Sequence, residues 1–109
     1  MAWLLRDGEV LASLELARDR RARVRGLLGR DGVEGAIWLE PAHAVHTIGM
    51  RFAIDVAYLD GERTVLDVRT MGRHRLGRPR WRAKAVLEAE AGAFERWRLH
   101  PGDVVEIKE

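Results

Sequence analysis

The 109-residue chain has no cysteine, asparagine or glutamine, one serine and two lysines. The missing cysteine excludes a disulfide framework, a thiolate nucleophile, an iron–sulfur cluster and a cysteine zinc site. The missing carboxamides remove amide side chains from any site. Ser13 lies in an alternating stretch without the G-x-S-x-G turn of a hydrolase nucleophile, so serine catalysis has no support. No run approaches the ~18 uncharged apolar residues of a membrane-spanning helix. Arg6, Asp7 and Glu9 interrupt the opening apolar stretch before it reaches the length a signal peptide needs, and a cytoplasmic protein is expected.

With 47% hydrophobic residues the chain can bury a core as one domain, residues 1–109, and no linker, repeat or heptad divides it. Arginine supplies nearly all the positive charge. "RDRRARVRGLLGR", Arg18 to Arg30, holds six basic residues and one acid, while "VRTMGRHRLGRPRWRAK", Val68 to Lys84, holds seven basic residues and no acid. The net charge is only +2, so the rest of the chain is acidic and the positive charge is concentrated in two segments.

Period-two alternation in "EVLASLELA", Glu9 to Ala17, predicts a half-buried strand, with "WLL" as its hairpin partner across the Asp7-Gly8 turn. Asp19 is placed to cap a helix from Arg20 to Leu28, with Val24, Leu27 and Leu28 on its apolar face and Gly29 at its end. "AIWLE" predicts a strand ending at Pro41. "AVHTIGMRFAIDVAYLD", Ala44 to Asp60, reads as buried strand almost throughout and as a central strand covered on both faces. "DGE" at Asp60 to Glu62 marks a turn before the strand "TVLDVRT". Met71 to Arg82 reads as a long loop, "RAKAVLEAEAG" as a strand ending near Glu88, Ala93 to Leu99 as a short helix or turn, and "VVEIK" as a last strand after "HPGD". The expected fold is mainly β, a compact sandwich or irregular barrel of short, largely antiparallel strands with one or two short helices; an α+β sheet with helices on one face is the alternative.

"RGLLGR" (Arg25 to Arg30), "VHTIGMRFAIDVAYLD" (Val45 to Asp60), "AVLEAEAG" (Ala85 to Gly92) and "LHPGDVV" (Leu99 to Val105) occur in this order, and together they resemble the small prokaryotic family known as domain of unknown function 192. The resemblance spans nearly the whole chain from about residue 10. It implies a compact, mainly β domain, standing alone in many relatives and exported in some. His46, Thr47, Gly49, Met50, Asp55, Gly92, Gly102 and Asp103 match the family's recurrent positions, but no catalytic or binding role is implied for them. Many relatives carry a cysteine just after the proline matched by Pro41; this chain has Ala42, so any thiol chemistry of those relatives is missing here.

Asp55 raises the main chemical question, because a carboxylate in a buried strand must be paired or richly hydrogen-bonded. Either Arg51 pairs with it from the same strand face, or backbone N–H groups of a nearby turn do; on this reading Asp55, Gly102 and Asp103 are structural. The most enzyme-like set is His46, Arg51 and Asp55, with His and Asp sharing a proton and Arg holding an anion. His43, His46, His74 and His100 lack the spacing of a zinc ligand set, and the glycines at 26, 29, 32 and 35 fit helix ends and turns rather than a phosphate loop. No metal or cofactor is expected. Arg73, Arg75, Arg78, Arg80 and Arg82, with Trp81 among them, form a candidate anion-binding surface suited to weak polyanion or nucleic-acid contact. Trp3, Trp38, Trp81 and Trp97 supply packing or docking area. The leading expectation is a non-enzymatic binding or structural role with an unidentified partner; polyanion binding through residues 68–84 and a small enzyme built on His46, Arg51 and Asp55 are the alternatives.

Overall fold

The computed structural model describes residues 1–109. Strand β1 (Ala2–Arg6) and strand β2 (Glu9–Ala17) form the expected antiparallel hairpin, turned by Asp7 and Gly8, both at positive φ. Helix α1 (Arg20–Arg25) is capped by Asp19, whose carboxylate accepts the Ala22 N–H at 2.7 Å.

The helix is shorter than expected. Gly26 takes φ 48° and ψ −123°, a conformation open to glycine, and so ends the helix three residues before Gly29. Of the expected apolar face only Leu27, beyond the helix end, is buried; Val24 and Leu28 are exposed.

Strands β3 (Ala36–Leu39), β4 (Ile54–Leu59), β5 (Val65–Met71) and β6 (Ala85–Glu90), helix α2 (Ala93–Trp97) and strand β7 (Glu106–Lys108) complete the chain. The long strand expected from Ala44 is confined to β4, all six residues of which are buried. Residues 44–53 instead lie over the sheet as irregular chain, burying Val45, Thr47 and Met50.

All strands join one sheet in the order β5-β4-β6-β3-β2-β1-β7, with β2 and β3 parallel and the other neighbours antiparallel. The sheet curls until its edges approach. Val65 donates to the Asp103 carbonyl and accepts from the Gly102 N–H, both at 2.8 Å, and Val105 donates to Arg63 at 3.1 Å. These bonds join the start of β5 to the segment before β7 without closing a true barrel. The mainly β expectation holds, with a mixed sheet and two short helices.

Strand alternation sorts the side chains onto two cores. Ala57, Leu59, Leu87 and Ala89 face the inside of the curl, where Trp38, Phe94 and Leu99 complete one cluster beneath α2. Ile54, Val56, Tyr58 and Val86 face outward with Met71 of β5 and are covered by Leu27, Val45, Met50 and Ala83 from the irregular segments. The sheet is therefore buried on both faces, which is why its central strands lack a polar side.

Candidate functional site

Asp55 points into the inner face, opposite Thr70 in the β4–β5 register. Its Oδ1 accepts the Thr70 hydroxyl at 2.7 Å, and its Oδ2 accepts the N–H groups of Gly92 at 2.9 Å and Phe94 at 3.1 Å. The carboxylate thus anchors the first turn of α2 to β4 on the inner face of the sheet. Of the two partners expected for Asp55, backbone N–H groups are the ones found, and Arg51 does not pair with it. Arg51 precedes β4, outside the regular strand that would put it on Asp55's face, and its guanidinium bonds Asp31 at 2.8 Å near the surface. His46 is exposed and its backbone bridges Leu76. No hydrogen bond joins His46, Arg51 and Asp55 into one constellation.

The histidines are dispersed. His74 Nδ1 accepts the Gly49 N–H at 3.1 Å, and the His43 ring packs on Trp81 with centroids 4.7 Å apart. No three His, Asp or Glu side chains come together as a metal site. Gly102, at φ 95°, and Asp103 form the turn that joins the sheet edges; Asp103 Oδ2 accepts from the His100 N–H at 2.8 Å and from Arg6 at 3.1 Å.

Thr47 organises the arginine-rich loop. Fully buried, it donates its hydroxyl to the Gly72 carbonyl at 2.6 Å, accepts the Arg75 N–H on the same oxygen at 2.9 Å, and exchanges backbone bonds with Arg75 and His74. Gly77 adds a bond to the Val45 carbonyl at 2.8 Å. The two irregular segments therefore brace each other, and a depression of about 340 Å³ lies beside them, lined by Tyr58, Arg69, Arg75, Arg78 and Arg80.

These arginines are not equivalent. Arg80 is committed to Asp67, at 2.8 Å, and stacks over the Tyr58 ring at 4.6 Å. Burial pushes the Asp67 carboxyl up, but the Arg80 hydrogen bonds and the Arg69 charge outweigh it and hold Asp67 below its ordinary value. Burial likewise raises the Tyr58 phenol, against the charge of Arg80. Arg73, Arg75, Arg78 and Arg82 form no ion pair and are exposed, as are Leu76 and Trp81 at 77% and 76%.

Glu88 is a site residue that the sequence reading passed over. It lies on β6 between Ile37 and Val56, on the outer face, and is 7% exposed. It forms the floor of a cleft of about 280 Å³, with Leu39, Val45 and Met50 on the walls and Arg23, Arg25 and His46 also lining it. Burial alone raises the Glu88 carboxyl to about 7; no hydrogen bond or nearby cation offsets it. The only sequence signal was a Glu between apolar residues in the body of a strand, on the same face as Val86 and one step before the exposed Glu90 that ends it.

The comparisons agree with this fold. A solved protein of unknown function from Novosphingobium aromaticivorans DSM 12444 superposes with a TM-score of 0.77 at 22% identity, covering 96% of this chain and 82% of that one. A Sinorhizobium meliloti 1021 protein, described as a candidate transcription regulator, gives 0.81 at 20% identity, covering 96% and 90%. At such identities the likeness is one of fold. Among curated relatives, the UPF0127 protein PYRAB11210 of Pyrococcus abyssi is 32% identical over 98 residues, covering 85% of this chain and 84% of the relative. The UPF0127 protein TK1120 of Thermococcus kodakarensis is 30% identical over 98 residues, 84% of this chain but 62% of that longer protein. The model of the DUF192 family, described as "Uncharacterized ACR", matches residues 2–107, and the chain belongs to that family.

Proposed function

We infer that the protein is a non-enzymatic binding domain for polyanions, with single-stranded nucleic acid the class that best suits its arginine-rich loop. The observation that carries this reading is the set of four exposed, acid-free arginines, Arg73, Arg75, Arg78 and Arg82, on a loop held by the buried Thr47. Arginine without a carboxylate partner keeps its donors for phosphate oxygens, and a loop already ordered loses little entropy on binding. Exposed Trp81 supports the choice of a single strand, because an unpaired base can stack on it whereas a duplex offers no free base face. Phosphate contacts and stacking carry no sequence information, so binding is expected to be weak and independent of sequence.

Titration with a labelled single-stranded oligonucleotide, a duplex of the same length and inorganic polyphosphate at several salt concentrations tests this. Affinity for the single strand should fall steeply with salt, and the double variant Arg75→Ala, Arg78→Ala should reduce the log–log slope by about 1.4, roughly 0.7 per lost phosphate contact. Trp81→Phe should weaken the single strand and leave polyphosphate unchanged. Salt-insensitive binding, no binding to any polyanion at low salt, or a tight sequence-dependent duplex complex would each overturn the reading.

A further inference from the structure

We propose that the cleft floored by Glu88 is a second binding site, for a short aliphatic zwitterion that carries an ammonium at one end and a carboxylate at the other. Glu88 brings a buried carboxylate with no hydrogen-bond partner to the floor of an open cleft. A folded chain seldom leaves such a group unpaired, because it loses hydration without gaining a donor. Its neighbours on the sheet, Ile37 and Val56, are apolar, and the Gly26 backbone passes close to it, since a Cβ added at Gly26 would lie 3.8 Å from Glu88 Oε1. No donor of the fold bonds the carboxylate, yet its oxygens still touch the solvent of the cleft, so a donor entering the cleft can reach them.

The walls and rim narrow the class. Leu39, Val45 and Met50 offer apolar surface between floor and mouth, which suits methylene groups. Arg23 and Arg25 line the same cleft and neither has an acid partner; Arg23 donates to the Arg18 carbonyl at 2.9 Å and keeps its charge. A simple alkylamine would match Glu88 but leave unanswered the charges of Arg23 and Arg25, which line the same cleft. A simple carboxylate would match the arginines and set its apolar end against Glu88. An ω-amino acid satisfies all three zones, its ammonium on Glu88, its methylenes along the walls and its carboxylate on the arginines. The cleft adjoins the arginine-rich loop through Val45 and His46, which line it and bond Gly77 and Leu76, but no arginine of that loop lines the cleft, and the proposal does not depend on polyanion binding.

The test uses 5-aminopentanoate, pentylamine and pentanoate as probes against the whole protein at about pH 8, where Glu88 is ionised, followed by calorimetry and by the NMR signals of the Met50 methyl group and the Leu39 methyls. 5-Aminopentanoate should bind about tenfold or more tightly than either single-ended probe and shift those methyl signals. Glu88→Gln, which keeps shape and should fold, is expected to lose about tenfold or more of that affinity, and Arg25→Ala should bring 5-aminopentanoate down towards pentylamine. Absence of any methyl shift, equal affinity for the three probes, or unchanged binding in a folded Glu88→Gln would overturn the proposal.

Discussion

Asp55 on β4 and Glu88 on β6 are neighbouring-strand carboxylates, 3% and 7% exposed, on opposite faces of one sheet. The fold treats them in opposite ways. Asp55 faces the inner core and receives three donors, two of them backbone N–H groups at the start of α2, so its charge holds a helix to the sheet. Glu88 faces the outer core, where irregular segments cover the strands, and receives none. A regular element brings a row of backbone donors to a fixed place, and a loop cover leaves a cleft. The difference teaches that burial alone does not say what a carboxylate does: one is spent as an anchor by the fold, and the other is left open to a cleft.

Removing each carboxylate should move stability in opposite directions, and the larger effect belongs to Asp55. Asp55→Ala strands the Gly92 and Phe94 N–H groups and the Thr70 hydroxyl in the interior, which should cost about 3 kcal/mol. Asp55→Asn keeps one acceptor and gives up the charge, and should cost about 1 kcal/mol. Urea unfolding of the three proteins should rank wild type above Asp55→Asn above Asp55→Ala. Equal stability of all three would mean that α2 is held without Asp55, and the contrast with Glu88 would collapse.

Glu88 gives the next largest effect, with the other sign. Its carboxyl titrates at about 7 in the folded protein against an ordinary value of 4.5. Between those values the folded state keeps a proton that the unfolded state has lost, so this group favours folding fully below about pH 4.5, and that support is lost as pH rises through about 7. Glu88→Gln is neutral throughout. It should match wild type near pH 4 and be more stable by about 2–3 kcal/mol at about pH 8. Unfolding free energies measured across that range would show the two curves separating as pH rises. A constant offset between them would mean that water reaches the carboxylate freely and that the cleft is no low-dielectric site.

Much of the fold was legible because it is written in local pattern. The alternation of Glu9 to Ala17 became β2 over the same residues, and Asp7-Gly8 and Asp19 sit at the turn and cap they predicted. The errors have physical causes. Val45 and Met50 are apolar because they cover the outer face of the sheet, and apolar residues over a sheet look like apolar residues in it. Gly26 ended the helix early through a φ that no periodicity encodes. The site was less legible than the fold. Asp55 finds its donors 15, 37 and 39 residues away, and Glu88 lacks donors only because the segments holding Arg23, Leu27 and Met50 fold across β6. Such facts come from chain topology, which the spacing within one strand does not contain.

The smallest expected effect separates Asp55 from the partner that strand spacing first suggests. Regular alternation would put Arg51 on the same face as Asp55, yet its guanidinium reaches Asp31, with side chains 59% and 90% exposed. An ion pair this open to water contributes little, since solvent screens the charges and two flexible side chains must be held in place. Arg51→Ala should therefore change unfolding free energy by less than about 0.5 kcal/mol, and added salt should erase the difference. In the Asp55→Asn background the same substitution should have the same small effect, because sites that share no partner act independently. A cost of several kcal/mol, or strong coupling between the two positions, would show that Arg51 reaches Asp55 in solution. The inner carboxylate would then need a cation after all, and its contrast with Glu88 would be one of counterion rather than of backbone donors.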